Sequence, residues 1–353
     1  MEVSFLWKKE LVEMLFSNNP SKLDPKKAIK FKYMQLPDNL FKYKSFDESH
    51  SLELLKTDNL CLSTPAQFND PYDCALKLIM KDVNNDYLKN KIFEHDSELL
   101  REQLGVSIKK LNKLRKSKNL VYDICLVDAK KEYPKSEYQN IDHHKIALIM
   151  QKKNNKKLVD LQNLKNKIYI SCFSETNKSI LMWSHYSKNH QGFCIEYDFT
   201  QLGMNHYITR FLFPIIYSND IFDISDYIPH GNKGFKDVLS EYSKGINLQE
   251  FIKGLKSPEK TNVNNMVLFY AALNKFKDWE YEKEWRYVFP YQNPSQKQIY
   301  IKTPQPKAIY LGAMVSEQNQ NKILELANKR KISVYKMEMN STEFILEPKI
   351  IQS

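Results

Sequence analysis

Glycine is the first scarcity in this chain, with eight residues among 353. A phosphate-cradling loop needs glycines where backbone must approach the ligand, and neither a GxGxxG nor a Walker A sequence occurs. Nucleotide binding through a glycine-rich loop is therefore set aside. The five cysteines (Cys61, Cys74, Cys125, Cys172, Cys194) are odd in number and widely spaced, without a CxxC. That pattern argues against a disulfide scaffold or zinc ribbon and for a reducing compartment. The eight histidines are scattered, and the adjacent pair His143-His144 has no carboxylate ligand pattern around it, so a metal site built on histidine is not expected. No apolar run approaches the length of a membrane span. Met1 to Phe16, with Lys8, Lys9, Glu10 and Glu13, lacks the apolar stretch and cleavage site of a signal peptide. A soluble, cytoplasmic protein without a membrane partner is expected.

Aromatics, by contrast, are abundant, with 21 Tyr and 19 Phe, and 42% of residues are hydrophobic, which is enough for a substantial core. The net charge of +11 gathers in runs such as Lys109-Lys110, Lys152-Lys153 and Lys156-Lys157. Such a surplus favours a polyanionic partner, either nucleic acid or a phosphate-bearing cofactor. Lysine and asparagine enrichment also follows from an AT-rich genome, so the charge alone does not choose.

Periodicity gives an outline. A leading helix over 4–16 is followed by a polar connector with Pro20 and Pro25. Strand character appears at Leu40–Lys44 and Leu60–Thr64, around a short helix at Ser51–Lys56. Pro65 ends the second strand, and Phe68-Asn69-Asp70-Pro71 reads as a turn. From 86 to 167 the chain is charged and helical in period. Strands are expected at Ile168–Phe173, Gly192–Phe199 and Tyr207–Tyr217, then a helical section over 235–276 that includes a helix at Val267–Lys277. The rest alternates: strands Glu284–Pro290 and Ala308–Leu311, helix Glu317–Lys329, strands Ile332–Met337 and Glu343–Leu346. The fold class this implies is α+β, with a central mixed or antiparallel sheet built from distant segments and helical insertions. Residues 1–39 form an N-terminal helical extension, and 40–353 a single α+β domain with a lysine-rich helical insertion at 86–167.

The densest chemistry lies in Trp279-Glu280-Tyr281-Glu282-Lys283-Glu284-Trp285-Arg286. Read as a strand, it puts Glu280, Glu282, Glu284 and Arg286 on one face, and Tyr281, Lys283 and Trp285 on the other. Close carboxylates repel, and an arginine, a metal or a cationic ligand relieves the strain. A surface helix end with Glu–Lys pairing is the plainer alternative. Two further blocks accompany it. In the first, a strand delivers Ser63 and Thr64 to its end, where small hydroxyls can bond a ribose or amide. Asn69, Asp70, Tyr72 and Asp73 follow; Asn69 and Asp70 also suit a turn that bonds its own backbone. The second block holds Cys172-Phe173-Ser174 and Met182-Trp183-Ser184-His185-Tyr186, offering a stacking surface and an imidazole. A Cys172–His185 nucleophilic pair is formally available, but nothing in the sequence activates the thiol.

These blocks, with Leu40-Phe41-Lys42-Tyr43 and Gly192-Phe193-Cys194-Ile195, together resemble the bacterial family catalogued as domain of unknown function 2971, over about Leu40 to Leu346. The layout is also similar to ADP-ribosyltransferase folds. That resemblance implies NAD as substrate, with Lys42, Tyr43 or Lys44 on a first strand and Ser63 and Thr64 on a second. Glu282 or Glu284 would be the catalytic carboxylate, with Ser63 holding the nicotinamide ribose. Asn69, Asp70, Tyr72, Trp183, His185, Tyr186 and Arg286 complete the expected NAD-binding set. The departures are the lysines where such enzymes carry Arg or His, and Pro65 directly after the Ser-Thr pair. The reading is an ADP-ribosyltransferase-type enzyme, a toxin or phage-defence effector with a nucleic-acid or protein acceptor and an antitoxin or defence-system partner. Two alternatives stay open: a metal-dependent nuclease using Asp70, Asp73, Glu282 and Glu284, and a non-enzymatic nucleic-acid or partner-binding protein.

Overall fold

A computed structural model of the chain describes residues 2–17, 20–48, 50–77, 98, 101–102, 105–117, 123, 127, 168–223, 266–290 and 299–353. The chain forms two compact units, Met1–Leu76 with Gln162–Ser353, and Lys77–Leu161. Most of the insertion expected at 86–167, and most of the helical section at 235–276, lies outside the described residues. Within the second unit, Ile108–Arg115 is helical, and the Ser107 side chain caps it by accepting from the Lys110 N–H.

The strands in chain order are Leu40–Lys44 (β1), Asn59–Leu62 (β2), Leu76–Lys77 (β3), Ile168–Ser174 (β4), Phe193–Tyr197 (β5), Leu212–Pro214 (β6) and Ile216–Ser218 (β7). Then come Phe222–Asp223 (β8), Asn274–Phe276 (β9), Glu284–Pro290 (β10), Ile299–Lys302 (β11), Ala308–Leu311 (β12), Ser333–Met339 (β13) and Leu346–Gln352 (β14). Eight of these form the sheet of the first unit, in the order β14-β13-β12-β5-β1-β4-β10-β6. Neighbours run antiparallel except β12 and β13, which are parallel and connected through the helix Glu317–Arg330. The sheet is thus mixed and assembled from distant segments, as the strand pattern implies. At its centre Ser174 of β4 lies opposite Phe41 of β1 on one side and Glu284 of β10 on the other.

The N-terminal helices pack against residues of the sheet and its connections. Trp7 packs on Trp285 at 6.2 Å and edge-on against Phe31 at 6.3 Å. Lys8 Nζ donates to the Ile215 carbonyl at 3.1 Å. The N-terminal helix Glu2–Phe16 therefore sets Trp7 against Trp285 of β10, which is buried. The connector expected around Pro20 and Pro25 is itself helical at Pro20–Lys22 and Pro25–Tyr33. Asp24 accepts from the Lys27 N–H at 3.0 Å and Pro25 takes the first helical position, where it forfeits no hydrogen bond.

Four other expectations are corrected. Tyr207–Tyr217 is not one strand: Tyr207–Phe211 is helical before β6 and β7. His206 caps that turn through Nδ1, which accepts from the Ile208 N–H at 3.2 Å. Buried Lys32 donates to the carbonyls of Thr209 and Arg210, so a side chain distant in sequence holds the turn against β propensity. The helix expected over Val267–Lys277 stops at Ala272, and Asn274–Phe276 pairs in parallel with β7. The strand expected at Glu343–Leu346 runs instead from Leu346 to Gln352, because Asn340 Oδ1 accepts from the N–H groups of Thr342 and Glu343 and closes a turn there. The fourth correction concerns Trp279–Arg286 and is taken up with the site.

Candidate active site

Residues 279–286 do not form one continuous strand. Lys277–Glu282 is a 3-10 helix, Lys283 turns left-handed at φ 45°, and only then does β10 begin at Glu284. A lysine in that conformation costs about 1 kcal/mol, so the turn must be fixed by its surroundings. Ser174 Oγ donates to the Glu282 carbonyl at 2.6 Å, and the Glu175 N–H donates to the Lys283 carbonyl at 3.1 Å. The Lys283 N–H in turn donates to the Glu280 carbonyl at 3.1 Å. The consequence is a sorting of the acids. Glu280 is exposed, whereas Glu282 and Glu284 are buried and meet at one point.

That point is Lys275, on β9. Its Nζ donates to Glu282 Oε2 at 2.5 Å and Glu284 Oε2 at 3.0 Å, with Asp73 Oδ2 at 3.9 Å. Arg286, on β10 two residues after Glu284, has no exposed surface. Its Nε donates to Glu284 Oε1 at 2.6 Å and Nη2 to Glu284 Oε2 at 3.0 Å. Nη1 and Nη2 clamp Asp73 at 2.7 and 2.6 Å, and Nη1 also reaches the Ala272 carbonyl at 2.9 Å. All five guanidinium donors are thereby used inside the protein. Tyr186 donates its hydroxyl to Glu282 Oε1 at 2.6 Å, and the Tyr217 oxygen accepts from the Glu284 N–H at 2.8 Å.

Three carboxylates (Asp73, Glu282, Glu284) face two cations (Lys275, Arg286), which leaves one negative charge unless a proton is held. The two glutamates divide the burden unequally. For Glu282, burial and then the Glu284 charge raise the carboxyl to about 7, against the pull of Lys275 and Tyr186. For Glu284, burial is outweighed by Arg286 and Lys275, and its carboxyl lies far below the usual range. Burial also opposes the Lys275 ammonium, yet Glu284 and Glu282 hold it charged. Two carboxylates pushed apart at one place is the arrangement by which a site keeps one acid exchangeable and the other ionised.

The cluster opens into a cleft with a volume of about 90 Å³, with Phe41, Phe68, Tyr186 and Met182 among its apolar walls. Lys42 lines it as well; burial, then Lys44, lowers its ammonium to about 8, and Nζ donates to the Cys172 carbonyl at 2.9 Å. Tyr43, Asn69, Tyr186, Glu282, Glu284 and Arg286 are the other expected residues brought here. Others fall elsewhere. Ser63 exchanges backbone hydrogen bonds with Ile170, and neither it nor Thr64 lines the cleft. Lys44 pairs with Glu48. Trp183 is a core residue, fully buried with its indole N–H donating to the Asn177 carbonyl at 2.7 Å. His185 lies against the rings of Trp279 and Tyr281, at 6.3 and 6.4 Å. Asp70 and Tyr72 line a second cavity of about 290 Å³, which shares Lys275 with the first.

The Cys172 thiol lines the cleft, but burial and the Glu284 charge push it up, the opposite of activation. Among the described residues no three His, Cys, Asp or Glu side chains are grouped to hold a metal ion. Asp73, Glu282 and Glu284 turn toward Lys275 and Arg286 instead. Sequence reasoning did not find Lys275. The available signal was the charge deficit itself, since three acids and one arginine still lack a cation. The segment carrying Lys275 reads as helix, and that hides its direction.

Among the described residues no helix is long and apolar enough to cross a membrane. No curated protein and no solved structure matches the chain. Residues 182–287, which run from the Met182-Trp183 helix through Lys275, both glutamates and Arg286, match the family described as "Protein of unknown function (DUF2971)", the family the residue blocks resemble.

Proposed function

We propose that this chain is a NAD-consuming enzyme of ADP-ribosyltransferase type, with Glu282 as the catalytic carboxylate. The observation that carries the reading is the divergence of Glu282 and Glu284 at one cleft. Glu284 is spent on Arg286 and Lys275, as a fixed anion that organises the pair. Glu282 is the group whose proton exchanges near neutrality. Ionised, it accepts the ribose 2′-hydroxyl and stabilises positive charge at the anomeric carbon as the C–N bond breaks. Nicotinamide leaves with the bonding electron pair, and an acceptor nucleophile or water closes the ribose carbon. Lys275 and Tyr186 hold Glu282 in place.

The small cleft suits the nicotinamide end of the substrate, with Phe41, Phe68 and Tyr186 as stacking surfaces. Ser63 and Thr64 take no part, so hydroxyl recognition falls to Tyr186 and Asn69. A net charge of +11 favours a nucleic-acid acceptor, with a protein as the other candidate. A cytoplasmic toxin or phage-defence effector, held in check by an antitoxin or a defence-system partner, is the setting that fits such chemistry.

The test is chromatography of free nicotinamide from NAD incubated with the purified protein, with and without RNA and DNA. We expect release that falls at least about a hundredfold in Glu282→Gln, within the range lost when an electrostatic catalytic group is removed. Because Glu282 must be ionised, the rate should rise with pH through about 7. Full release by Glu282→Gln, or none from the wild type under any condition, refutes the assignment.

A further inference from the structure

The second unit carries a charged surface that the chemistry above leaves unused. Between Glu102 and Asp123 the sequence has six cations and no acid. Residues Ile108–Arg115 of that stretch are helical, and Leu111 and Leu114 form the buried side. At 3.6 residues per turn, Lys109, Lys113 and Lys116 fall together on the opposite side, and all three are exposed, as are Lys110 and Asn112. None of the three makes an ion pair among the described residues. Exposed lysines of the first unit are instead set beside carboxylates, Lys22 with Glu13, Lys56 with Glu53 and Lys349 with Glu338. Lysines at i and i+4 repel, so this row costs helix stability until an anion lies along it.

We propose that the helix Ile108–Arg115 is a docking face for the phosphate backbone of a nucleic acid, with Lys109, Lys113 and Lys116 as its contact row. The row is about 10 Å long at 1.5 Å per residue. Over that length one strand of a duplex presents about three phosphates, at about 3.4 Å each. A helix that lies on an anionic membrane inserts an apolar side beside its cations. Here Leu111 and Leu114 are turned into the protein, and of the apolar residues of the helix Ile108 alone stays exposed. The helix has no aromatic side chain to stack on a base, so it grips the backbone without reading sequence. That the bound polymer is the acceptor of ADP-ribose rests on the preceding reading, but its binding does not.

The experiment is fluorescence anisotropy of labelled RNA and DNA oligonucleotides of mixed sequence, single-stranded and duplex, titrated with the full chain over a series of salt concentrations. A triple variant (Lys109→Gln, Lys113→Gln, Lys116→Gln) should bind at least about tenfold more weakly. Its slope of log affinity against log salt should be shallower by about 2–3, at about 0.7–0.9 per phosphate contact. Arginine at the same three positions should keep both affinity and slope, which separates lost charge from lost structure. Removing as much charge from exposed positions of the first unit (Lys322→Gln, Lys329→Gln, Lys331→Gln) should change neither. No binding by the wild type, an unchanged slope in the helix variant, or an equal loss in the first-unit variant overturns the docking face. Phosphatidylserine vesicles that bind through the three lysines while the oligonucleotides do not would overturn its occupant. Lysine-dependent binding by a protein that releases no nicotinamide upholds the face and removes the transferase reading alone.

Discussion

Replacing Glu282 by glutamine should make the protein more stable at pH 8 while abolishing its chemistry. The side chain is 3% exposed, and its carboxyl lies at about 7 against an ordinary 4.5. A group raised in the folded state contributes stability that is complete below about 4.5 and is lost as pH rises through about 7. The span from 4.5 to about 7 corresponds to about 3 kcal/mol, since one pH unit is worth about 1.4 kcal/mol. Glutamine removes the titration and keeps the contacts: its carbonyl accepts from Lys275 and its amide faces the Tyr186 oxygen. Urea unfolding followed by tryptophan fluorescence is the assay, because Trp7, Trp183, Trp279 and Trp285 all lie in the first unit. Wild type and variant should unfold at similar urea concentrations at pH 5. The variant should then gain steadily, to about 3 kcal/mol by pH 8. A variant less stable than the wild type at pH 8, or a difference independent of pH, would show that Glu282 is ionised and satisfied in the native state.

Other outcomes follow from the same geometry. Arg286→Met should cost at least about 3–5 kcal/mol by urea unfolding, because it strands Asp73 and Glu284 as buried anions. Arg286→Lys should recover only part, since an ammonium cannot clamp two carboxylates, and full recovery would refute the bidentate account. Tyr186→Phe removes a hydrogen bond that holds the Glu282 carboxyl down. The rising limb of nicotinamide release should therefore move to higher pH by roughly one unit, the scale of a hydrogen bond to a charged group. An unmoved limb would detach Tyr186 from Glu282.

The interdependence of these side chains explains what stability such a cluster gives. A buried ion network repays its desolvation only when every lone pair and proton is matched. Glu284, Arg286, Lys275 and Asp73 meet that condition, so they read as the frame of the site. Glu282 and Lys42 do not, for one is raised to about 7 and the other lowered to about 8, and both border the cleft. Perturbed groups beside a cavity, inside a satisfied frame, are where proton-linked chemistry is expected.

Local pattern determined the elements whose residues agree with their surroundings. Apolar and aromatic residues at Leu40–Lys44, Ile168–Phe173 and Glu284–Pro290 marked central strands, and a 3.6-residue period marked Glu317–Lys329. The residue content of the site was equally legible: acids beside an arginine, an Asn-Asp-Pro turn, and Tyr186 after Trp183. The geometry was not. Lys283 turns left-handed because Ser174 and Glu175, more than a hundred residues earlier, hold the carbonyls on either side of it. Tyr207–Phe211 is helical because Lys32 supplies donors from the N-terminal region. Lys275 faces the acids because β9 pairs with β7 rather than extending a helix. In each case the deciding partner is remote in sequence, and burial strengthens its charge or hydrogen bond beyond the fraction of a kcal/mol per residue that propensity supplies. Composition thus set which chemistry the chain can carry, and long-range pairing in a dry interior decided which carboxylate carries the exchangeable proton.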